Sequence, residues 1–172
     1  MTDRMPVLEQ INPKNVSAFR MLRLWALEDS PSAFGSTYAR ESQFPEAEWL
    51  QRAANMNGET RIGYLAMDNA SPCGIIGAFR DEHDPAKAQV ISMWVAPAYR
   101  RTGVGRALIA AIEAWAQKTG ARRLQLLVTS GNHSAMEFYK QCGFALTGRT
   151  EPYPNDPSLI EYEMARAVLP DD

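Results

Sequence analysis

Arg100, Gly103 and Gly105 stand in the spacing Arg-x-x-Gly-x-Gly within the stretch Met93-Trp94-Val95-Ala96-Pro97-Ala98-Tyr99-Arg100-Arg101-Thr102-Gly103-Val104-Gly105-Arg106-Ala107-Leu108. Such residues at the start of a helix suit one task, which is gripping an anion. The first N–H groups of a helix have no intrahelical partner. The helix dipole adds partial positive charge there. Glycines clear side chains away, so that a bulky phosphate can meet the backbone. Between residues 93 and 123 six basic residues (Arg100, Arg101, Arg106, Lys118, Arg122, Arg123) face one acid, Glu113. That local excess of five positive charges sits in a chain of net charge −2, so the rest carries −7. Two phosphate fingerprints fail. Leu108 occupies the third glycine position of the dinucleotide motif, and no Gly-Lys-Ser/Thr follows the loop.

A strand, a turn and a helix must position this loop. Residues 88–95 read as a strand, Pro97 opens a turn, and residues 103–118 form an amphipathic helix with Val104, Leu108, Ala111, Ile112 and Trp115 on one face. Elsewhere, residues 6–11 read as a first strand, and Asn12-Pro13 as an N-cap and first helical position before Val16, Phe19, Leu22 and Ala26. A second helix covers 45–54. Strands follow at 60–67 and 72–79, then, beyond the glycine helix, a strand at 123–129, a helix at 132–141 and strands at 144–149 and 159–167. The order β-α-α-β-β-β-α-β-α-β-β implies a mixed α/β sheet with helices packed on it. The antiparallel run between 60 and 95 argues against a doubly wound fold.

Composition agrees with one globular domain over residues 1–172: 172 residues, 45% hydrophobic and 22% charged. The near-neutral balance gives no reason to expect a nucleic-acid partner. Cys73 and Cys142 form no CxxC pair, so neither a zinc ribbon nor a redox motif is suggested and no metal is expected. A reduced, cytoplasmic setting is expected. The start of the chain carries Asp3, Arg4 and Glu9 and lacks the apolar run of a signal peptide. No stretch is long and apolar enough to suggest a membrane span.

The stretch from Arg100 to Gly105 resembles motif A of the GNAT acetyltransferase superfamily, Arg/Gln-x-x-Gly-x-Gly/Ala, which binds the pyrophosphate of acetyl-CoA. Downstream, Asn132-His133-Ser134-Ala135-Met136-Glu137-Phe138-Tyr139-Lys140-Gln141-Cys142-Gly143-Phe144 is similar to the family's Asn-x-x-Ala-x-x-x-Tyr-x-x-x-Gly-Phe segment. Leu24 to Glu41 also looks like a stretch of small bacterial members. The resemblance implies a mostly antiparallel sheet flanked by helices, and acetyl transfer from acetyl-CoA to a primary amine of a small molecule or peptide in a ternary complex. It implies that Met93, Trp94 and Val95 offer backbone groups to the pantetheine arm, as an added strand does. Arg100, Arg101, Thr102, Gly103, Val104, Gly105 and Arg106 would hold the pyrophosphate. Asn132 would contact the cofactor arm, and Tyr139 would lie near the thioester sulfur as general acid. Homodimers are common among such proteins, and nothing in this sequence decides for or against one.

Each of these residues also has a plain structural use. Two glycines before a helix serve as a turn, Arg100 as a solvated charge, Asn132 as an N-cap and Tyr139 as a core aromatic beside Phe138. His83 and His133 read as exposed loop or first-turn residues, and Cys142 as a small filler. Two family patterns place a glutamate to take the amine's proton; this chain has Gln89 and Leu127 at those positions. Activity is therefore expected to climb with pH until the amine itself is neutral, unless Glu41, Asp81, Glu82, Glu161 or Glu163 acts instead. Phe34, Tyr38, Glu41, Phe44 and Tyr153 lie in segments that form acceptor pockets in the family. Two other functions stay open: a non-catalytic acetyl-CoA-binding sensor or scaffold, and a nucleotide binder using the same loop.

Overall fold

A computed structural model describes residues 5–170; Asp3 and Arg4 lie outside them. Its strands are β1 (Val7–Gln10), β2 (Arg61–Asp68), β3 (Ser71–Arg80), β4 (Lys87–Val95), β5 (Arg123–Thr129), β6 (Ala145–Pro152) and β7 (Ile160–Ala167). They form one sheet in the order β1-β2-β3-β4-β5-β7-β6. Every pairing is antiparallel except β4 with β5. The helices are α1 (Val16–Asp29), α2 (Tyr38–Glu41), α3 (Glu46–Asn55), α4 (Val104–Thr119) and α5 (His133–Gln141). None of them is long and apolar enough to cross a membrane, among the described residues.

The helix starts follow local chemistry. Asn12 Oδ1 accepts from Lys14 N–H at 2.8 Å and Asn15 Oδ1 accepts from Asn12 N–H at 2.9 Å, so a short 3-10 turn at Pro13–Asn15 leads into α1. Gly103 and Gly120 bracket α4 with φ of +94° and +85°, conformations that glycine adopts without a Cβ penalty.

The two sheet faces are filled by different helices. A Cβ on Gly74 would lie 3.1 Å from Leu108 and 3.2 Å from Val104, which places α4 tight on β3. Side chains three positions along a strand point to the opposite face, and there Phe19 of α1 meets Trp49 of α3 edge-on at 5.5 Å. Leu22, Leu27, Leu65, Ile76, Leu108, Ile112 and Met164 are at most 1% exposed.

The sequence gives no warning of one feature of the α1 face. Arg23 and Glu41 are buried together, with Nε–Oε1 at 3.0 Å and Nη2–Oε2 at 2.9 Å, a bidentate pair. Arg52 adds a third bond to Glu41 at 2.9 Å. It stacks over Trp49, and Arg23 stacks over Phe34. Burial alone pushes the Glu41 carboxyl up, but the hydrogen bonds and charge of Arg23, then Arg52, overrule it and hold it down at about 2. Glu41 is therefore not the free carboxylate its sequence position allowed; α2, which carries it, is a single turn that sequence periodicity could not show.

Removing one member leaves a buried charge without its partner. Glu41→Gln is expected to destabilise the fold by about 3–5 kcal/mol, read as a lowered urea midpoint. Because the folded pKa is depressed, the stabilisation is full above about pH 4.3 and is lost as pH falls toward 2. Acid melts of the wild type should weaken across that window, and those of Glu41→Gln much less.

Candidate active site

Parallel pairing between β4 and β5 lasts only from Lys87↔Arg123 to Gln89↔Gln125. Beyond Gln89 the strands part, and a cleft of about 450 Å³ opens between them. Its walls include Ser92 and Met93 from β4, Val128 and Thr129 from β5, Asn132 and Tyr139 from α5, and Glu151, Tyr153 and Glu161 from the β6–β7 side. A bulge marks the parting: two β4 residues, Ser92 and Met93, lie opposite one of β3, and Ser92 has φ +60°. Arg23 donates to Ser92 Oγ at 2.9 Å, tying the bulge to the buried Arg23–Glu41 pair.

Past the bulge, Ala96 N–H donates to Cys73 C=O at 2.8 Å. By the two-residue alternation of a strand, Trp94 turns its backbone to β3 as well, opposite Ile75. The backbone groups of Met93 and Val95 therefore face the open edge. Arg100 Nε takes the Val95 carbonyl at 2.9 Å, which leaves the Val95 N–H.

The loop that follows has the form expected of an anion cradle. Among the described residues no backbone carbonyl accepts from the N–H groups of Arg101 to Arg106; the first ladder bond is Ala107 N–H to Gly103 C=O at 3.0 Å. Arg101, at φ +64°, and Gly103 bend the chain. The side chains of Arg101, Thr102 and Arg106 are exposed. Arg100 sits differently. Its guanidinium bonds Asp29 at 2.9 Å and the Val95 carbonyl, so it fastens the end of α1 to the end of β4. Trp94 Nε1 donates to the same Asp29 carboxylate at 3.1 Å, and its ring packs on Trp25.

Tyr139 lines the cleft from α5, wedged between Phe138 and Phe144 at centroid distances of 5.4 and 5.9 Å. Desolvation drives its hydroxyl pKa far up, with the Cys142 thiol adding to the rise, so the phenol keeps its proton. Asn132 does cap α5, accepting from Ala135 N–H at 3.3 Å, and also lines the cleft. Cys142 is partly exposed rather than buried, and Cys73 is buried with its thiol pushed up by burial to about 11.

The carboxylates separate cleanly. Asp81 caps its own turn by accepting from His83 and Asp84 N–H groups, and Glu82 is exposed beside it. Glu163 bonds Thr147 and Arg123 outside the cleft. Glu161 alone of the five sequence candidates lines the cleft. Gln89 and Leu127, the residues at the two positions where the family patterns carry a glutamate, line it too and bring no carboxylate. Of the acceptor-pocket residues, Phe34 and Tyr153 line the cleft, and the Tyr153 hydroxyl donates to Phe34 C=O and to Pro31 C=O. Phe44 packs on Trp49, and Tyr38 is exposed outside. Arg23 and Ser92 were not singled out by sequence: no motif surrounds them, and only a fold brings positions 69 apart together. His83 and His133 are exposed and away from the cleft.

Residues 19–144 match the acetyltransferase (GNAT) family. The chain belongs to that family. It is 27% identical over 163 residues to the aminoglycoside N(6')-acetyltransferase type 1 of Stenotrophomonas maltophilia, covering 89% of this chain and 96% of that one. A GNAT-family acetyltransferase of Streptococcus pneumoniae superposes with TM-score 0.79 at 20% identity, over 95% of this chain and 99% of the other. An aminoglycoside 6'-N-acetyltransferase solved with coenzyme A superposes with TM-score 0.69 at 16% identity, over 96% and 99%. The GNAT fold expected from the two motifs is thus the fold observed.

In this GNAT chain the two motif glycines work differently. A Cβ on Gly103 would meet only Met5, at 3.6 Å, and its positive φ is the constraint. A Cβ on Gly105 would lie 2.9 Å from Phe138 Cζ and 3.1 Å from Met93 Cε. Gly105 is therefore also needed for packing α5 against α4, which sequence reasoning, attending to phosphate approach, did not show. Gly105→Ala is expected to cost about 1–3 kcal/mol through overpacking, measured by chemical denaturation. A neutral result would remove the packing role.

Proposed function

We propose that this acetyltransferase moves the acetyl group of acetyl-CoA to a primary amine of a small molecule or peptide, by direct attack in a ternary complex in the cytoplasm. One observation carries the reading. Six consecutive backbone N–H groups, Arg101 to Arg106, have no backbone partner among the described residues at the start of α4, and Met93 joins that cradle to the cleft that holds Tyr139. An acyl donor with a pyrophosphate at one end and a thioester at the other fits this layout.

The geometry supports the following roles. Arg101, Thr102, Gly103, Val104, Gly105 and Arg106 receive the pyrophosphate through backbone N–H groups and flanking cations. Arg100 serves the same site by fixing the loop to Asp29 and Val95. Met93 pairs with the pantetheine arm along the open β4 edge, Val95 keeps its N–H for the thioester end of that arm, and Trp94, already paired to β3, contributes its packed indole. Asn132 reaches the arm from its capping position. The Val95 N–H polarises the thioester carbonyl. Tyr139, kept protonated by burial, donates to the sulfur as it leaves. Holding amine and thioester together supplies much of the acceleration.

Thermal-shift titration should show stabilisation by acetyl-CoA and none by ATP or NAD, and thiol release should follow when an amine panel is added. The Stenotrophomonas relative is named for an aminoglycoside acceptor, which makes kanamycin the first amine of that panel. Tyr139→Phe is expected to lower kcat by roughly ten- to a thousandfold with acetyl-CoA affinity unchanged. An unaltered kcat, where chemistry limits the rate, would take Tyr139 out of the mechanism.

A further inference from the structure

The cleft contains a carboxylate that nothing in the fold uses. Glu161, on β7, is 9% exposed, yet among the described residues its carboxylate makes no hydrogen bond and no ion pair. Its accessible edge lines the cleft that Tyr139 lines. Strand register adds a second carboxylate: Glu151 of β6 lies directly opposite Glu161 and lines the same cleft. Like charges facing each other across an antiparallel pair repel, and burial compounds the cost. The other groups facing this spot bring no free cation. Tyr139 comes from α5 and Tyr153 from the β6–β7 loop, β5 offers the neutral Thr129 opposite Glu161, and the one guanidinium, Arg23, is held by Glu41 and Ser92. The other buried carboxylate, Glu41, is paired; Glu161 has no such partner among the described residues.

The geometry points to Glu161 as the group that receives the acceptor's ammonium and takes its proton, with Glu151 at the mouth of the cleft drawing the cation in. This assignment rests on the acetyl-transfer reading above. It moves the base from the two usual strand positions, Gln89 and Leu127, to β7. Gln89, Leu127 and Glu161 lie on one face of the sheet: Gln89 pairs with Gln125, Leu127 is two residues on, and Thr129, two further, pairs with Glu161. The shift is therefore lateral and keeps the carboxylate on the acceptor side of the gap.

The first proton passes from the ammonium to a Glu161 carboxylate oxygen. The freed nitrogen lone pair forms the C–N bond at the thioester carbonyl, whose π electrons move to oxygen. As the carbonyl re-forms, the C–S bond breaks and its electron pair leaves on sulfur, which takes the Tyr139 proton. The second nitrogen proton restores Tyr139, and Glu161 releases its proton to water. Desolvation, and then the Glu151 charge, raise the Glu161 pKa, the direction that suits a general base.

Two variants test the assignment, each assayed with the amine that the wild type turns over fastest. Glu161→Gln should lower kcat/KM by about 10²- to 10⁴-fold and leave acetyl-CoA affinity unchanged. The wild-type profile should rise through an acid limb at the same pH for every amine and then level. In Glu161→Gln that limb should vanish, and activity should climb with the amine's own ionisation. Because a raised acid pKa makes the ionised group destabilising above it, Glu161→Gln should also melt at a higher temperature than the wild type at pH 7. Glu151→Gln removes a negative neighbour and should move the acid limb to lower pH. A Glu161→Gln enzyme with wild-type kcat/KM and pH profile, a lower melting temperature for it, or an acid limb unmoved by Glu151→Gln would overturn this assignment and leave acetyl transfer standing. A wild type that binds no acetyl-CoA or acetylates no amine would overturn both.

Discussion

Three residue pairs hold β4 to β5, and the site depends on the strands parting after the third. A parallel pair that continued would close the gap where donor and acceptor must meet. α1 and the turn after it prevent closure from one side. Arg23 takes hold of the Ser92 bulge, Asp29 takes Arg100 and Trp94 at the end of β4, and Thr129 at the end of β5 bonds Ser32 C=O at 2.7 Å. Each contact pulls one strand end toward α1 and away from its neighbour. The buried Glu41 pair anchors this arrangement, because a guanidinium fixed on one side by two carboxylate oxygens has only its remaining edge to offer Ser92. Ion pairs of this kind are weak sources of net stability and better sources of a defined geometry.

The two buried glutamates show how burial can serve opposite ends. Glu41 and Glu161 are both nearly inaccessible. One is surrounded by guanidinium groups and its pKa falls; the other has no such partner, and burial, then the charge of Glu151, make its pKa rise. The first fixes structure. The second is a cost that the folded chain carries, of the sort found where stability is given up for activity.

Most of the architecture was legible in the sequence because strong periodicity and punctuation agreed. β5 has the bounds the pattern implied, and the others differ by a residue or two, with β6 reaching three further. The single turn α2 was not legible, since four residues carry no period. The loop before α4 was readable because its free N–H groups are fixed by glycine and by the helix start, both local properties. The far wall of the cleft was not. Arg23, Ser92, Glu41 and Glu161 come from four separate elements, and a lone glutamate in a strand reads the same whether it faces solvent, an arginine or an empty cleft. Gln89 and Leu127, the two positions where a glutamate was sought, line the cleft without a carboxylate, and the glutamate proposed in their place is reached only through strand register.

The contact between Gly105 and Phe138 reaches beyond packing. Gly105 belongs to the cradle, and Phe138 adjoins Tyr139 on the same helix turn. Because the aromatic ring leaves no room for a Cβ there, the two helices cannot slide past one another without losing the contact. If the cradle grips the phosphates and the Tyr139 hydroxyl meets the sulfur, as proposed, the two are jaws of one caliper set to a fixed span. A donor would then be measured by that span: an acyl thioester whose arm is shorter or longer than the interval would present its sulfur out of reach, however well its phosphates were held.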